Sequence, residues 1–243
     1  MIEFLGVTKR FGPKVAVDRL DLTVPRGEFF AFLGPNGAGK TTSIKVLVGL
    51  LHPDEGRARI CGYDVATQPV EAKARVSYVP DQPYLYDKLS GREFLEFVAR
   101  LYRQEQRQAE RRIAELAEQL DFGDFMDELT EGYSHGMKQR VVIAAALLHE
   151  PEVMVVDEPM VGLDPRSMRV VKDILRARSR AGATIFMSTH TLAVAEELAD
   201  RIGIINHGRL IALGSQADLH RAAGKEEGLE DLFLRLTAEE GEA

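Results

Sequence analysis

The 243-residue sequence has one cysteine, no excess of basic residues and no long apolar segment. The single cysteine, Cys61, has no second cysteine with which to form an intrachain disulfide, which fits a reducing cytoplasm. A formal net charge of −7 argues against a general nucleic-acid binder, although it is compatible with a local basic patch. We therefore predict no nucleic-acid partner.

Segments that direct a chain into or across a membrane are also missing from the sequence. Residues 1–4 are not a basic region that leads into an apolar stretch, so we predict no secretory signal. The longest apolar run, residues 141–148, is far shorter than the roughly 20 residues that span a bilayer. If the protein acts at a membrane, we expect another chain to do the spanning.

The composition is that of an ordinary globular protein. Hydrophobic residues make up 45% and charged residues 28% of the chain, enough apolar material for a real core. A length of 243 residues fits either one large domain or a core with a subdomain.

The most informative segment is a glycine-rich stretch, residues 34–42, which matches the phosphate-loop pattern of Gly, four residues and Gly-Lys-Thr. It follows an apolar run of strand length, residues 28–33, and residues 42–50 after it show helical spacing. In this context, backbone N–H groups and a helix dipole bind a polyphosphate. A glycine-rich turn before an ordinary helix is the alternative, and the complete pattern disfavours it. The predicted nucleotide-binding residues of the loop are Gly34, Pro35, Asn36, Gly37, Ala38, Gly39, Lys40, Thr41 and Thr42.

One lysine and one threonine of the loop, together with two carboxylates later in the chain, are candidates for binding Mg²⁺ and the phosphates and for hydrolysis. Lys40 would place a positive charge on the β- and γ-phosphates, and Thr41 would hold Mg²⁺ through its hydroxyl. Residues 153–156 form a continuous apolar run, typical of a parallel strand buried on both faces. Asp157 and Glu158 follow at the end of the strand, where such sheets carry their sites. Asp157 would hold Mg²⁺ through water, and Glu158 would polarise the attacking water.

A second buried strand is predicted over residues 184–188, and it ends in Thr189 and His190. A histidine at this point is either a polar cap or a contact with the γ-phosphate. Its place at the same sheet edge as the two carboxylates favours the phosphate contact.

Three further residues have an ordinary interpretation when the local sequence is considered alone. Phe11 precedes the phosphate loop and either stacks on a base or belongs to the core or a sheet edge. Gln82 follows a short strand and is typical of a solvated loop. Ser134 begins a helix that runs to His149, where it is either a common N-cap or part of a second anion site. Local spacing favours the ordinary interpretation for all three.

The remaining pattern predicts an α/β fold with an inserted helical block. Helical spacing over residues 90–120, with a capping box from Ser90 and Glu93, interrupts the alternation of strands and helices. Asp164 is predicted to cap another helix, with a proline at its first position. The other predicted elements are antiparallel strands at 2–11 and 15–24, a hairpin at 202–213 and an amphipathic helix at 229–236.

Taken in order, these segments resemble the nucleotide-binding subunit of ATP-binding-cassette (ABC) transporters. The resemblance covers residues 2–236. It rests on the ordered set of the phosphate loop, Gln82, residues 133–136, the strand that ends in Asp157 and Glu158, residues 161–164, and His190.

The resemblance implies roles that the local sequence alone does not. Phe11 matches the aromatic residue that stacks on adenine. Gln82 matches the glutamine that touches Mg²⁺ and the attacking water and senses the transmembrane partner. Ser134 and Gly136 match the signature segment that covers the γ-phosphate of a nucleotide held by the opposite subunit. The implied catalytic residues are Lys40, Gln82, Glu158 and His190, and the implied metal-binding residues are Thr41, Gln82 and Asp157.

The loop around Asp164 matches the one that crosses the dimer interface, so the resemblance implies that Asp164 is a nucleotide-binding residue, and His190 matches the switch histidine. The signature segment departs from the family's common Leu-Ser-Gly-Gly-Gln, because His135 replaces a glycine. The imidazole either contacts phosphate or points to solvent, and the sequence does not decide between them. Since Ser134 and Gly136 remain, we expect activity.

The implied fold is a P-loop NTPase (RecA-like) core with an antiparallel β subdomain and an inserted α-helical subdomain. Residues 2–236 are expected to form the ATPase domain and 238–243 an acidic tail. Within the domain, we assign residues 2–83 and 150–222 to the core, 84–149 to the helical subdomain and 228–237 to a C-terminal helix.

The implied function is an ATPase subunit that works with ATP and Mg²⁺ as a homodimer beneath a polytopic permease. The last helix resembles that of drug, polyketide and sodium exporters, so we expect an exporter subunit on the cytoplasmic face of the membrane. The alternative is a soluble ABC ATPase in a process such as iron–sulfur assembly. A non-catalytic binding module is disfavoured by the presence of both Lys40 and Glu158.

Overall fold

The computed structural model describes residues 1–223 and 229–238. The strands are β1 (Ile2–Phe11), β2 (Lys14–Val24), β3 (Phe29–Leu33), β4 (Glu55–Ile60), β5 (Tyr63–Asp64), β6 (Val76–Val79), β7 (Val153–Asp157), β8 (Thr184–Thr189), β9 (Arg201–Asn206) and β10 (Arg209–Gly214). The helices are α1 (Lys40–Leu47), α2 (Pro69–Lys73), α3 (Gly91–Leu101), α4 (Gln106–Gln119), α5 (His135–Leu148), α6 (Pro165–Arg180), α7 (Leu192–Leu198), α8 (Gln216–Ala223) and α9 (Leu229–Ala238).

The central sheet has the strand order β10-β9-β3-β8-β7-β6. The strands from β9 to β6 run parallel, and β10 pairs antiparallel with β9. Every residue of β3, β7 and β8 is buried, which confirms the prediction from their apolar runs. Because parallel strands end at a common edge, the segments after β3, β6, β7 and β8 are brought together there.

A second sheet, of order β2-β1-β4-β5, packs on one face of the central sheet. Its strands pair antiparallel, as the sequence predicted for β1 and β2. Four fully buried phenylalanines pack between the two sheets. The ring centroid of Phe186 lies 5.4 Å from those of Phe30 and Phe32 and 6.1 Å from that of Phe4. This aromatic cluster packs the first part of β1, through Phe4, against the central sheet.

Three helices, α3, α4 and α5, are inserted between β6 and β7. The predicted capping box is confirmed, because Glu93 N donates to Ser90 Oγ while Ser90 N donates to the Glu93 carboxylate. Helix α5 is buried over most of its length and anchors this block to the central sheet. The boundaries of a separate helical subdomain at residues 84–149 stay a prediction.

Several predicted boundaries shift in the structure. Helix α1 begins at Lys40 and ends at Leu47 rather than spanning 42–50, because Gly49, with φ 70°, terminates it in a left-handed conformation. The helical block over 90–120 is divided into α3 and α4. Helix α9 extends to Ala238, so the first residue of the predicted acidic tail is helical.

Residues 239–243 of that tail, and residue 228 at the predicted start of the last helix, lie outside the described residues. Within the described parts of the chain, no helix has the length and apolar character needed to cross a membrane.

Candidate functional site

The predicted phosphate loop connects β3 to α1, and its last glycine is tightly constrained. Gly39 has φ 109°, a conformation that residues with a side chain rarely adopt. A Cβ atom at this position would lie 2.4 Å from the carbonyl oxygen of Ala16 on β2. Glycine is therefore required here both for the backbone conformation and for the close approach of β2.

A cavity of about 490 Å³ opens in front of the loop. One part of its wall is the ring of Phe11, which is 50% exposed and lies under the ammonium of Lys9 at 5.7 Å. An exposed aromatic face beside a phosphate loop is a suitable platform for a base, and the volume suits a nucleotide. The cavity is lined by Phe11, Lys14, Ala16, Asn36, Gly37, Gly39, Lys40, Thr41, Thr42, Asp81 and Glu158.

The ammonium group of Lys40 is nearly buried, and it lies 3.6 Å from the carboxylate oxygen Oε1 of Glu158. Its side chain is 7% exposed, and Nζ donates to the carbonyl oxygens of Gly34 at 2.7 Å and Pro35 at 3.2 Å. Burial lowers the pKa of Lys40, and the charges of Glu158 and Asp157 oppose this effect. An anion that enters the cavity would therefore stabilise the charged form of the Lys40 ammonium group.

The side chain of Asp157 is fully buried at the end of β7. One carboxylate oxygen accepts a short hydrogen bond from Ser188 Oγ, whereas Oδ2 has no hydrogen-bond partner among the described residues. Burial raises the pKa of Asp157, and the hydrogen bonds from Ser188 and Thr41 oppose this.

An unpartnered buried carboxylate oxygen beside a threonine hydroxyl is the donor set that suits Mg²⁺. This ion is usually held by one or two carboxylates together with water and substrate phosphates. Within residues 1–223 and 229–238, no group of three or more His, Cys, Asp or Glu side chains is arranged to hold a metal. The predicted Mg²⁺ ligands Thr41, Gln82 and Asp157 include only one carboxylate, so they do not form a cluster of that type. They fit a cation that is held mainly by the phosphates of a nucleotide.

Glu158 projects its carboxylate toward the loop. Its backbone has φ 49°, and its N–H lies 3.2 Å from Ser188 Oγ and 3.3 Å from Ser188 O. The carboxylate oxygen Oε1 lies 3.0 Å from His190 Nδ1 and 3.6 Å from Lys40 Nζ, yet neither is aligned to donate a hydrogen bond to it. A carboxylate with an unused lone pair at the rim of a nucleotide-sized cavity is able to accept a proton.

A second cavity, of about 600 Å³, shares the side chains of Asn36, Asp81 and Glu158 with the first. Gln82 and His190 line it, so both lie beside the same space as Glu158. Residues of α5 and of the segment before it also line this cavity. The complete lining is Asn36, Asp81, Gln82, Pro83, Tyr133, His135, Lys138, Glu158, Val161 and His190.

Three of the predicted nucleotide contacts lie elsewhere. Ser134, Gly136 and Asp164 are absent from both cavities in the described part of the chain. The hydroxyl of Ser134 is exposed and accepts from Met137 N at 3.3 Å, as the predicted N-cap of α5. Asp164 caps α6, and the hydrogen bond from the Ser167 hydroxyl is the main reason that its pKa falls to about 2. One chain therefore carries two separate groups of predicted nucleotide contacts.

The sequence did not single out three residues that the structure places in the site. Ser188 positions both carboxylates, since its hydroxyl contacts Asp157 and the N–H of Glu158. Its signal was a hydroxyl at the end of an otherwise apolar strand. Lys14 and Asp81 line the first cavity, and no local pattern distinguishes them from other exposed charges.

His135 is exposed and lines the second cavity, and its ring also makes a contact that the sequence did not indicate. Its Nε2 lies 3.2 Å from the carbonyl oxygen of Val161 in the same chain, so the ring is engaged with the loop that follows β7.

The comparisons with known proteins show the family of the chain. A sequence model of the ABC transporter family matches residues 17–161. The chain is 43% identical over 223 residues to the daunorubicin/doxorubicin resistance ATP-binding protein DrrA of Streptomyces peucetius, which covers 92% of this chain and 68% of that protein. It is 40% identical over 214 residues to Nod factor export ATP-binding protein I of Burkholderia lata, which covers 88% of this chain and 70% of that protein.

A solved structure of an ATP-binding subunit of an ABC transporter superposes with a TM-score of 0.92 at 33% identity, over 97% of this chain and 99% of that one. The residues matched by the family, 17–161, include the phosphate loop and both carboxylates at the end of β7. The chain therefore belongs to the ABC transporter family, as one of its ATP-binding and ATP-hydrolysing subunits.

Proposed function

We propose that this subunit drives an exporter: ATP closes a dimer of two such chains, hydrolysis opens it, and a separate membrane partner converts the motion into transport. The observation that carries this proposal is the division of the nucleotide contacts. Phe11 and the phosphate loop surround one cavity, whereas the exposed Ser134 cap lies outside it. A second copy would bring its own Ser134 to the nucleotide bound here.

The chemistry follows from the groups at the cavity rim. Lys40 would bind the β- and γ-phosphates in place of the two loop carbonyls to which it now donates. Glu158 would orient the attacking water and accept its proton. His190, 3.0 Å from that carboxylate, would contact the γ-phosphate, and Gln82, which lines the second cavity with it, would position the water.

Thr41, Gln82 and Asp157 would hold Mg²⁺, which neutralises charge that develops on the phosphates. Burial with one unpartnered oxygen makes Asp157 the strongest of these three candidates. A cation near that buried carboxylate would offset the desolvation penalty that the hydrogen bonds from Ser188 and Thr41 offset only in part.

The transport assignment rests on the relatives and on the last helix. One relative is named as an export protein and another as a drug-resistance protein. Helix α9 begins at Leu229 and packs Leu229 and Leu232 into the main core, and its sequence resembles the terminal helix of exporter subunits. We place the chain on the cytoplasmic face of the membrane, held there by a polytopic permease.

Light scattering tests the dimer. Glu158→Gln stops hydrolysis while it keeps the nucleotide, so with Mg²⁺ and ATP it should form a stable dimer. Adding Ser134→Arg should abolish that dimer, because the long side chain blocks the γ-phosphate of the nucleotide held by the partner. Ala217→Arg, which adds the same side chain at an exposed position of α8, should leave the dimer intact. A dimer that survives Ser134→Arg would place the start of α5 outside the interface.

Co-purification tests the membrane partner. A tagged chain, extracted from membranes with mild detergent, should bring down one polytopic membrane protein in a fixed ratio. Recovery of the chain only in the membrane-free fraction would instead favour a soluble ABC ATPase.

A further inference from the structure

Helix α5 is tied to the loop between β7 and α6, residues 159–164, by side chains near its start. Gln139, which is buried, donates from Nε2 to the carbonyl oxygen of Pro159 at 3.4 Å. Arg140 donates to the Ser167 hydroxyl at 2.6 Å, in the first turn of α6. These two hydrogen bonds contact the start of the loop and the first turn of the helix that follows it. The middle of the loop is contacted by His135.

The imidazole of His135 lies directly on the middle of this loop. Its Nε2 is 3.2 Å from the carbonyl oxygen of Val161 and donates a hydrogen bond to it when that nitrogen carries the proton. A Cβ atom on Gly162 would lie 2.3 Å from the ring Cδ2 and 2.8 Å from Nε2. The ring therefore fills the space that the missing side chain of Gly162 leaves free.

The same loop is bonded to the backbone of Glu158. The N–H of Val161 donates to the carbonyl oxygen of Glu158 at 3.1 Å, which closes a turn over residues 158–161. Glu158 itself has φ 49°, a conformation that persists in a non-glycine residue only where the surroundings support it. His135 is thus two hydrogen bonds away from the backbone that aims the Glu158 carboxylate.

We propose that His135 is a positioning residue for ATP hydrolysis: its ring clamps Val161 and Gly162 and thereby holds Glu158 in its reactive orientation. The proposal rests on the proposed function for the role of Glu158. Because Ser134 is adjacent to His135, nucleotide contact at the start of α5 would act on the carboxylate of the same chain through this clamp. A glycine, which is common in the family at this position, has no side chain with which to make the contact.

Hydrogen–deuterium exchange on the full chain without nucleotide tests the clamp independently of catalysis. His135→Gly should speed exchange of the amides in residues 159–164 by roughly twofold to tenfold, the range expected for losing one hydrogen bond and its packing. His135→Gln, whose amide also carries an N–H donor at the end of the side chain, should restore much of the protection. His52→Gly, at an exposed histidine in the turn before β4, is the matched control and should change nothing in this segment. Unchanged exchange in His135→Gly overturns the proposal.

Steady-state ATPase kinetics separates positioning from a direct phosphate contact. His135→Gly should lower kcat about threefold to tenfold and leave the KM for ATP within about twofold, with partial recovery in His135→Gln. A raised KM with unchanged kcat would mean that the imidazole binds nucleotide instead, and would overturn the proposal.

A double-mutant cycle then links the histidine to the glycine it covers. Gly162→Ala should lower kcat more in the wild-type background than in His135→Gly, because the clash with the ring exists only in the former. Gly182→Ala provides the control, since that glycine also has a positive φ of 98° but nothing within 4 Å of an added Cβ. Its effect should be equal in both backgrounds. Additive effects of Gly162→Ala and His135→Gly contradict the clamp.

The failure of the proposed function is distinguishable from the failure of this inference. Normal turnover of Glu158→Gln would remove the role of Glu158, whereas the exchange experiment would still show whether His135 holds the loop.

Discussion

Replacing Glu158 by Gln should have opposite effects on hydrolysis and on ATP binding. The substitution keeps the shape of the side chain and removes its charge and its ability to accept a proton. Loss of general-base assistance should lower kcat by roughly 10²–10⁴-fold. The affinity for ATP should rise instead, because Glu158 and the incoming phosphates compete for the ammonium of Lys40.

The size of the gain in affinity follows from the geometry of that pair. Glu158 Oε1 lies 3.6 Å from Lys40 Nζ, and their side chains are 15% and 7% exposed. With an effective dielectric constant of about 20, two unit charges at that separation attract by about 5 kcal/mol. Most of this attraction is offset by desolvation and by the hydrogen bonds from Lys40 to the loop carbonyls, which leaves about 1 kcal/mol. The dissociation constant for ATP should therefore fall about fivefold.

Phosphate release measures the hydrolysis and titration calorimetry the affinity. Glu152→Gln is the matched control, since it makes the same chemical change just before the other end of β7, where Glu152 pairs with Arg75 at 3.4 Å on the surface. Both quantities should be unchanged in the control. Near-normal turnover of Glu158→Gln would refute the assignment of the base, and weaker ATP binding would refute the competition for Lys40.

Five other substitutions, of which Phe11→Ala is a control for stability, probe the site and the core. Lys40→Ala should lose both ATP affinity and turnover, because the phosphates lose their buried cation; an unchanged dissociation constant by calorimetry would contradict this. Asp157→Asn should abolish Mg²⁺-dependent turnover yet raise the melting temperature at pH 7. Burial raises the pKa of this carboxyl, so keeping it ionised at pH 7 opposes folding, and the uncharged amide removes that cost. A lower melting temperature would contradict this prediction. Phe186→Ala should destabilise the fold by about 3–5 kcal/mol in urea unfolding, whereas Phe11→Ala, at a half-exposed ring, should have little effect on stability. Burial lowers the pKa of His149 from 6.5 to about 4, so between these pH values the unfolded chain binds more protons than the folded chain. The free energy of unfolding should therefore fall as the pH drops from about 6.5 to about 4. His149→Gln should flatten this pH dependence, and an unaltered pH profile would contradict the prediction.

The local parts of the site were predictable because their signals lie close together in the chain. The glycine pattern of the phosphate loop, the apolar run before Asp157 and Glu158, and the Ser90 capping box each occupy fewer than about ten residues. Burial on both faces of a parallel strand needs a continuous apolar run, so the strand could be recognised without its neighbours. The family resemblance then supplied roles for Phe11 and Gln82 that local spacing did not support.

The tertiary structure decided everything that depends on which segments become neighbours. The order β10-β9-β3-β8-β7-β6 places Ser188 beside Asp157, and no pattern within either strand encodes that pairing. Gly39 is required because β2 passes over it, a contact between residues 16 and 39 that the motif alone does not reveal. His135 is a further case: the sequence left phosphate and solvent open and did not indicate that the ring also contacts Val161, which it does because α5 and the loop after β7 pack together. Contacts between residues far apart in the chain arise from the packing of whole elements, so a single sequence determines them only through the completed fold.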